Sequence, residues 1–321
     1  LRRPSAGMIS QMRWEYDAAK ELEIDWIVKM FCPTGWLEPD DVIQNSHSVN
    51  LLRRTRFPAI SAIRDWIALR VEYHQWLKSQ DQDVDVYILR YYVHDPFQAY
   101  FVWKCKKPVY LVHHTLEVLE LNASGGISGY VRGALEWIIG RFSIRNAYRI
   151  IGVTDEILEY ENQRAGLHQK VGLVYPNGIV FNRNALCHAR SEIPTFLFVA
   201  SYFSDWHGVD LLLSQVLLSE RRFHIHLVGQ LSKQDAALAS SDRRVTIHGE
   251  LDAQQIQSLA QQCWVGLSSF ALFRKGMKTA CPLKVREYLA LGLPVYGGHE
   301  DVFPNSLFLL SRHPFGSQLI R

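Results

Sequence analysis

The segment from Pro282 to Val295, PLKVREYLALGLPV, constrains the fold more than any other part of the sequence. Its apolar residues recur at helical spacing after a short loop, and Gly292 and Pro294 end the helix before a strand that starts at Val295. Lys284 stands at the helix start, where unpaired backbone N–H groups and the helix dipole attract an anion. The segment therefore predicts a loop, a helix and a strand of an α/β fold, with an anion site at the start of the helix.

A carboxylate follows this lysine in the same helix. Glu287 lies three residues after Lys284 and therefore about one turn along the same face. A positively charged helix start suits phosphates, and a carboxylate suits the hydroxyls of a ribose. Together the two side chains describe a site for a nucleoside diphosphate.

The bulk composition is that of a globular protein. The chain has 321 residues, enough for two domains, with 48% hydrophobic and 21% charged residues. A formal net charge of only +3 argues against a nucleic-acid partner. Five scattered cysteines without metal-ligand spacing indicate reduced thiols. Because neither a membrane span nor a signal peptide is visible, a cytoplasmic protein is expected.

Short apolar strands alternate with helices in both halves, which predicts parallel sheets covered on both faces. In the first half we predict strands at 24–28, 85–89, 108–112 and 149–153, and helices at 10–22 and 130–146. In the second half we predict strands at 195–199, 224–228, 245–247, 265–267 and 294–296, and helices at 208–217, 252–262 and 283–291.

The polar run 187–194 is the best linker candidate, so the predicted domains are 1–188 and 189–321. Ligands of such sheets bind outside the carboxyl ends of the strands, so a site is expected in a cleft between the two domains. The chain opens in a polar run and ends soon after a strand-like segment at 307–310.

The segment around Glu287, together with the strand-loop-helix pattern at 200–210, resembles the nucleotide-sugar motif of glycosyltransferase family 4. The resemblance covers most of the chain and is strongest from about Phe196 to Gly298. It implies a GT-B fold, in which two Rossmann-like doubly wound domains face a central cleft. The N-terminal domain would bind the acceptor and the C-terminal domain the nucleotide-sugar. Because a GT-B enzyme normally starts with a strand and finishes with helices that cross back to the first domain, the resemblance also implies that residues are missing at the ends of this sequence.

The resemblance also implies an activity. A sugar would move with retention of configuration from a UDP-sugar or GDP-sugar donor to a glycan or lipid-linked acceptor, in cell-surface polysaccharide synthesis. No metal and no cofactor besides the donor is expected, and the donor's own phosphate would take the proton of the acceptor.

The resemblance assigns donor-binding roles to residues of the second half. The loop after a strand would hold the base, a basic loop and the helix start would neutralise the diphosphate, and the helix carboxylate would hold the ribose. The residues with these roles are Gly249, Glu250, Leu251, His207, Arg274, Lys275, Lys278, Leu283, Lys284 and Glu287.

Two positions depart from the family pattern. In the pattern E-x7-E the second glutamate is Glu287, and the first, which usually contacts hydroxyls of the donor sugar, falls on Thr279. In the run 200–210 the family carries an arginine and then Lys-Gly, where this sequence has Ser201 and His207 before Gly208. We hypothesise that the three cations of the basic loop 273–278 compensate.

The catalytic candidates are His114, His113 and Lys278. The two histidines end a predicted central strand, and in the family a histidine at this point contacts the donor sugar or the acceptor. We favour His114, with a core-capping histidine as the alternative. Glu117 and Glu120 follow as acceptor-binding or solvated residues, and a weak match places an acceptor-side glycine loop at Gly7.

Three other features have competing interpretations. Asp83 and Asp85 have the form of a metal-binding D-x-D, although strand alternation explains them as well. Asp95 is a further cleft candidate. Basic residues interleave with apolar ones at 53–67 and 130–149, which indicates either a core face or contact with the inner face of a membrane.

Two alternative functions stay open on sequence grounds. One is a GT-B sugar-nucleotide epimerase. The other is a non-catalytic GT-B relative that binds nucleotide-sugar or glycan. The threonine at position 279, where the family pattern has a glutamate, supports this second alternative.

Overall fold

The computed structural model describes residues 4, 6–50, 58–123, 125–167, 172–180, 190–303 and 309–311. The chain packs into two compact units, of which the first comprises residues 1–113, 131–151 and 161–173, and the second residues 114–130, 152–160 and 174–321. Several positions considered above lie outside the described residues: Arg53, Arg54, Arg56, Phe57, Cys187 and the predicted boundary at 188–189.

The first half of the chain alternates helices and short strands. In chain order these are α1 (Ala6–Glu21), β1 (Met30–Thr34), β2 (Ile43–Asn50), α2 (Pro58–Ser79), β3 (Tyr87–Arg90), α3 (Pro96–Lys104), β4 (Val109–His113), α4 (Glu117–Ala123), α5 (Gly126–Asn146), β5 (Arg149–Gly152), α6 (Asp155–Ala165) and β6 (Leu173–Val174).

The second half continues the same alternation. It contains β7 (Thr195–Tyr202), α7 (Val209–Leu218), β8 (His224–Gln230), α8 (Lys233–Ser240), β9 (Val245–Gly249), α9 (Ala253–Ala260), β10 (Val265–Leu267), β11 (Thr279–Ala280), α10 (Leu283–Ala290), β12 (Val295–Gly297), β13 (Glu300–Asp301) and β14 (Leu309–Ser311). Short 3-10 turns cover Asp205–His207 and Leu272–Lys275.

The predicted strand at 24–28 is wrong, because the first strand begins only at Met30. Ile24 and Ile27 are exposed, whereas Met30 packs in a cluster with Ile43 of β2. β1 and β2 pair in parallel, and β3, β4, β5 and β6 form a second sheet in that order. The sequence IQNSHSVN of β2 is too polar to have predicted a strand.

The second half builds a six-stranded parallel sheet with the order β14-β12-β10-β7-β8-β9. Read from β7, the chain first adds strands on one side and then, starting with β10, on the other. This is the doubly wound order with a topological switch point between β7 and β10. All five strands predicted in this half belong to the sheet.

Successive residues of the strands point to opposite faces of this sheet, and each face carries a core. Phe198 packs with Leu212 of α7 in one cluster, and its neighbour Leu197 packs with Val285 of α10 in the other. A Cβ on Gly266 of β10 would lie 2.4 Å from the ring of Tyr288, so the glycine lets α10 approach the sheet closely. These contacts hold α10 against the sheet.

Two further findings concern membrane spans and disulfides. Among the helices within the described ranges, none combines the length and apolarity that crossing a bilayer requires. The four cysteines that the structure describes, Cys32, Cys105, Cys263 and Cys281, are not in disulfides.

Candidate active site

Two loops meet at the switch point of the six-stranded sheet. The loop after β7 contains His207, and the loop after β10 contains the basic run that the sequence singles out. Phe270 N–H donates to the carbonyl of His207 at 3.0 Å, and Ala271 N–H donates to the carbonyl of Trp206 at 3.2 Å. The two loops are therefore held together at the sheet edge where doubly wound folds bind ligands.

His207 is a neutral imidazole inside the loop after β7. Its Nδ1 accepts a hydrogen bond from Ser204 N–H at 2.9 Å, so the ring proton lies on Nε2. Burial, together with the nearby charge of Lys284, lowers the pKa of His207 to about 2. His207 therefore offers a ligand an N–H donor at neutral pH but no positive charge.

Arg274 is already engaged by an acid that the sequence analysis did not single out. Its guanidinium donates to both carboxylate oxygens of Asp210, at 2.9 and 2.7 Å, and to the carbonyl of Asp205 at 2.8 Å. Each partner shifts the other, so that the pKa of Asp210 is lowered and that of Arg274 is raised. Arg274 thus ties its loop to α7, and its charge is largely compensated within the protein.

Lys275 is also held by neighbours of its own unit. Its Nζ lies 3.3 Å from Thr115 Oγ1, 3.5 Å from Glu120 Oε2 and 4.7 Å from the ring centroid of Trp206. The side chain is only 11% exposed. Of the three loop cations, only Lys278 has an exposed side chain, and within the described residues its ammonium forms no ion pair.

Lys284 presents a buried amine at the N-terminus of α10. Its Nζ has no hydrogen-bond partner within the described part of the chain and lies 5.1 Å from the ring centroid of Phe198. Burial lowers the pKa of Lys284 to about 7, an effect that Glu287 opposes. Pro282 at the N-cap supplies no side-chain acceptor, so the helix start stays available to an anion.

Glu287 and Leu283 accompany this lysine on α10 as the sequence analysis expects, and both are half-buried. Burial raises the pKa of Glu287, and the charge of Lys284 partly offsets that rise. The helix start therefore combines one unsatisfied cationic donor with one carboxylate, which is the pair predicted for a nucleoside diphosphate.

The loop predicted to hold the base, residues 249–251, closes β9 and starts the turn into α9. Gly249 has a φ of 68°, and open space lies where a Cβ would be. The exposed Glu250 accepts from Gln230 Nε2 at 2.6 Å, and Leu251 packs against the core beneath α10. The base-binding role of this loop stays a prediction.

Gly229, by contrast, serves internal packing. At φ 122°, a Cβ on this residue would lie 1.6 Å from the carbonyl oxygen of Ala200. The close approach is therefore made by strand β7 of the same sheet.

The two candidate catalytic histidines have different environments. His113 is buried in the first unit, stacked on Tyr91 at a centroid distance of 4.3 Å, with Nδ1 3.9 Å from Glu161 Oε2. Burial, with a contribution from the charge of Arg164, lowers the pKa of His113 to about 4. The next residue, His114, is half-buried and follows the carboxyl end of β4. The preference for His114 stays a prediction, and the core-like surroundings of His113 agree with it.

Several lesser candidates have structural roles. Asp95 caps α3 by accepting from Phe97 N–H and Gln98 N–H, and it pairs with Arg70 at 2.6 Å. Asp83 and Asp85 are exposed before the amino end of β3, at the edge opposite to that where parallel sheets bind ligands. Glu117 is buried, Glu120 is the partner of Lys275, and Gly7 lies in the first turn of α1.

A further carboxylate, which the sequence analysis did not identify, contacts the basic loop from another element. Glu156 in the first turn of α6 accepts from Lys278 N–H, from Thr279 N–H at 2.7 Å and from Thr279 Oγ1 at 2.8 Å. The signal that could have revealed it is its position just after the end of β5, where parallel sheets present functional side chains.

Residues 193–297 match the family model described as glycosyl transferases group 1. No curated protein sequence matches the chain.

Solved structures resemble nearly the whole chain at low identity. Sucrose-phosphate synthase from Thermosynechococcus elongatus has a TM-score of 0.65 at 16% identity, over 97% of this chain and 80% of that one. Anabaena HepE in complex with UDP and glucose has a TM-score of 0.60 at 14% identity, over 98% and 84%. The lipopolysaccharide outer core galactosyltransferase WaaB has a TM-score of 0.57 at 14% identity, over 92% and 78%.

At such identities the structural likeness defines the fold. The chain is a GT-B protein, as the sequence analysis expects. In its second half, residues 193–297 match the model described as glycosyl transferases group 1, and this segment contains the switch-point loops and the start of α10.

Proposed function

We propose that this protein is a retaining glycosyltransferase that moves a sugar from a UDP-sugar or GDP-sugar donor to a glycan or lipid-linked acceptor. The observation that carries the proposal is the amine of Lys284, buried without a hydrogen-bond partner among the described residues at the N-terminus of α10, within the segment that matches the transferase family. A buried amine without a hydrogen-bond partner is unfavourable, and a bound anion would supply that partner and stabilise the charged form of the amine.

The diphosphate of the donor fits this position. Its charge would be neutralised by Lys284, by the helix start and by the exposed Lys278, without a divalent metal. Glu287, one turn along α10, would hold the ribose, and the loop 249–251 would hold the base. Anabaena HepE, which shares the fold, forms a complex with UDP and glucose, and this supports a donor of the UDP class.

The reaction has a balanced form that needs no side-chain base. The acceptor hydroxyl oxygen forms a bond to the anomeric carbon while the bond from that carbon to the diphosphate oxygen breaks. The bonding electrons stay on the leaving diphosphate, whose phosphate oxygen takes the acceptor proton. The role proposed for His114 is contact with the reacting sugar, and Lys278 would stabilise the charge that develops on the leaving group.

A membrane surface suits a lipid-linked acceptor. On α5, Val131, Leu135, Ile138 and Phe142 form one helical stripe with exposed fractions of 53%, 45%, 67% and 43%. Basic residues of the same helix would favour an anionic surface.

We propose peripheral binding at the cytoplasmic face of a membrane. Co-sedimentation with vesicles that contain or lack phosphatidylglycerol measures this binding. Ile138→Gln should weaken vesicle binding. Equal binding of the wild type and Ile138→Gln would contradict the proposed membrane contact of α5.

The activity is tested by incubating the protein with UDP-glucose, UDP-galactose and GDP-mannose in the presence of chelator. Nucleotide release is measured with and without glycan and lipid-linked acceptors, and the anomeric configuration of the product is read by NMR. An α-linked product from an α-linked donor is expected. A β-linked product would contradict retention, and nucleotide binding without any turnover would favour the non-catalytic alternative.

A further inference from the structure

Glu156 belongs to α6, and its side chain contacts the loop that leads into the proposed donor site. Its carboxylate accepts from Lys278 N–H at 3.0 Å, Thr279 N–H at 2.7 Å and Thr279 Oγ1 at 2.8 Å. All three residues belong to the second compact unit, although Glu156 comes from the first turn of α6 and precedes its partners by more than a hundred residues. A carboxylate is thus built onto this loop from a distant part of the sequence.

The bonds engage the two carboxylate oxygens unequally. Oε2 accepts from Lys278 N–H, Thr279 N–H and Thr279 Oγ1, whereas Oε1 accepts only the shared Lys278 N–H. Each oxygen of an ionised carboxylate offers about two lone-pair positions. The side chain is half-buried, so Oε1 has capacity for a donor from a ligand while the rest of the group is held in place.

The anchor point is specific in sequence and in structure. Thr279 lies eight residues before Glu287 and begins β11, which pairs in parallel with β13. From β11 the chain runs directly into α10 and Lys284. A carboxylate fixed at Thr279 therefore precedes the proposed diphosphate site by a short, structured connection.

We infer that Glu156 binds hydroxyl groups of the donor sugar, in the place of the carboxylate that the sequence pattern lacks at position 279. The threonine hydroxyl and the two backbone N–H groups act as the mount for the carboxylate of α6. The inference rests on the proposed function, because it names a binding residue for the same nucleotide-sugar.

A purely structural role makes a different prediction. If Glu156 only anchored the loop, its loss would disturb Lys278 and the approach to α10, so affinity for the bare nucleotide would fall together with affinity for the nucleotide-sugar. If Glu156 binds the sugar, the affinity for UDP is nearly unchanged and only the additional affinity for UDP-glucose is lost.

The test compares the dissociation constants of UDP and UDP-glucose by calorimetry for the wild type, Glu156→Ala and Glu159→Ala. Glu159 is the matched control, because it is exposed on the same helix one turn further on. A charge-assisted hydrogen bond predicts a loss of about 10- to 150-fold in UDP-glucose affinity for Glu156→Ala. We expect a change below about threefold for UDP, and for both ligands in the control.

The double variant Glu156→Ala/Thr279→Glu provides the rescue. It returns a carboxylate to the same place from the other chain segment, so it should recover at least about tenfold of the lost UDP-glucose affinity. Equal losses for UDP and UDP-glucose, or the absence of any loss, would overturn the inference. Failure of the wild type to bind any nucleotide, with GDP and GDP-mannose tried as well, would instead contradict the proposed function.

Discussion

The buried amine of Lys284 lowers the free energy of unfolding of the unliganded protein. A buried donor without a partner costs about 1–3 kcal/mol, and nothing within the described residues satisfies its Nζ. We therefore expect Lys284→Met, which removes the amine and leaves an unbranched apolar side chain one atom shorter, to raise the free energy of unfolding of the unliganded protein by about 1–3 kcal/mol at pH 8.

Urea denaturation of the two proteins measures this difference. Lys233→Met is the control, because Lys233 is exposed in the first turn of α8, and it should change the free energy of unfolding by less than about 0.5 kcal/mol. A destabilised Lys284→Met would mean that the amine has a favourable role in the unliganded fold.

The same lysine predicts a pH dependence of nucleotide binding. In the unliganded protein burial lowers its pKa to about 7, so near pH 8 the amine is mostly neutral. A bound diphosphate stabilises the charged form and raises the pKa, so binding takes up a proton. Affinity should fall as pH rises above about 7, by up to about tenfold per pH unit.

Calorimetry at pH 8 in HEPES and in Tris measures the proton uptake from the difference in binding enthalpy. Lys284→Met should bind weakly and show no such uptake. An affinity for UDP that stays constant between pH 7 and 9 would contradict this role of Lys284.

The sequence predicted some parts of this site and missed others. Lys284 and Glu287 could be predicted because both lie in one short helix, where spacing alone places them on one face. The engagement of Arg274 by Asp210 and the mounting of Glu156 on Thr279 could not, because the partners are separated by 64 and 123 residues and meet only through the fold. The number of cations in a loop therefore overstated how many are available to a ligand.

At the scale of elements, two glycines at the carboxyl ends of the neighbouring strands β8 and β9 have contrasting roles. Gly229 has no room for a Cβ beside the carbonyl of Ala200, whereas Gly249 faces open space at a φ of 68°. Gly229→Ala should therefore unfold the second half or destabilise it by about 3 kcal/mol or more. Gly249→Ala should cost only about 1–2 kcal/mol of left-handed strain.

Thermal unfolding of both variants tests this contrast, and UDP affinity of Gly249→Ala tests the loop. If the loop 249–251 holds the base, the added methyl group should weaken UDP binding while the protein stays folded. Equal destabilisation by the two substitutions would contradict the packing difference.

The elements of the second half could be predicted more completely than those of the first. The strands of the six-stranded sheet are short apolar runs, as buried parallel strands require. In the first half, β2 is polar and α2 begins where basic and apolar residues interleave, so hydrophobic patterns alone did not define them. Of the four apolar side chains in the misplaced first strand, three are exposed and one is buried, and periodicity does not distinguish exposed from buried ones.

For the whole molecule, one buried and three half-buried histidines predict loss of stability in acid. Burial lowers the pKa to about 4 in His74, His113 and His226 and to about 2 in His207. The unfolded chain protonates these groups near pH 6.5, so between about pH 6.5 and 4 it binds more protons than the folded protein. The free energy of unfolding should fall as pH decreases through this range, by up to about 1.4 kcal/mol per pH unit for each histidine.

Urea denaturation at pH 7.5, 6.5, 5.5 and 4.5 measures this slope. His226→Gln should reduce the slope by the share of one histidine, whereas His47→Gln, which alters an exposed side chain, should leave it unchanged. A free energy of unfolding that is constant between pH 7 and 5 would contradict the lowered pKa values of these four histidines.

The measurement that tests the account most directly is calorimetric titration of the wild type and of Lys284→Met with UDP and GDP in the presence of chelator. We expect one of the two nucleotides to bind the wild type without metal and to lose at least about tenfold in affinity in the variant. Binding that disappears with chelator, or affinity that is the same in both proteins, would contradict a donor diphosphate held by Lys284 at the start of α10.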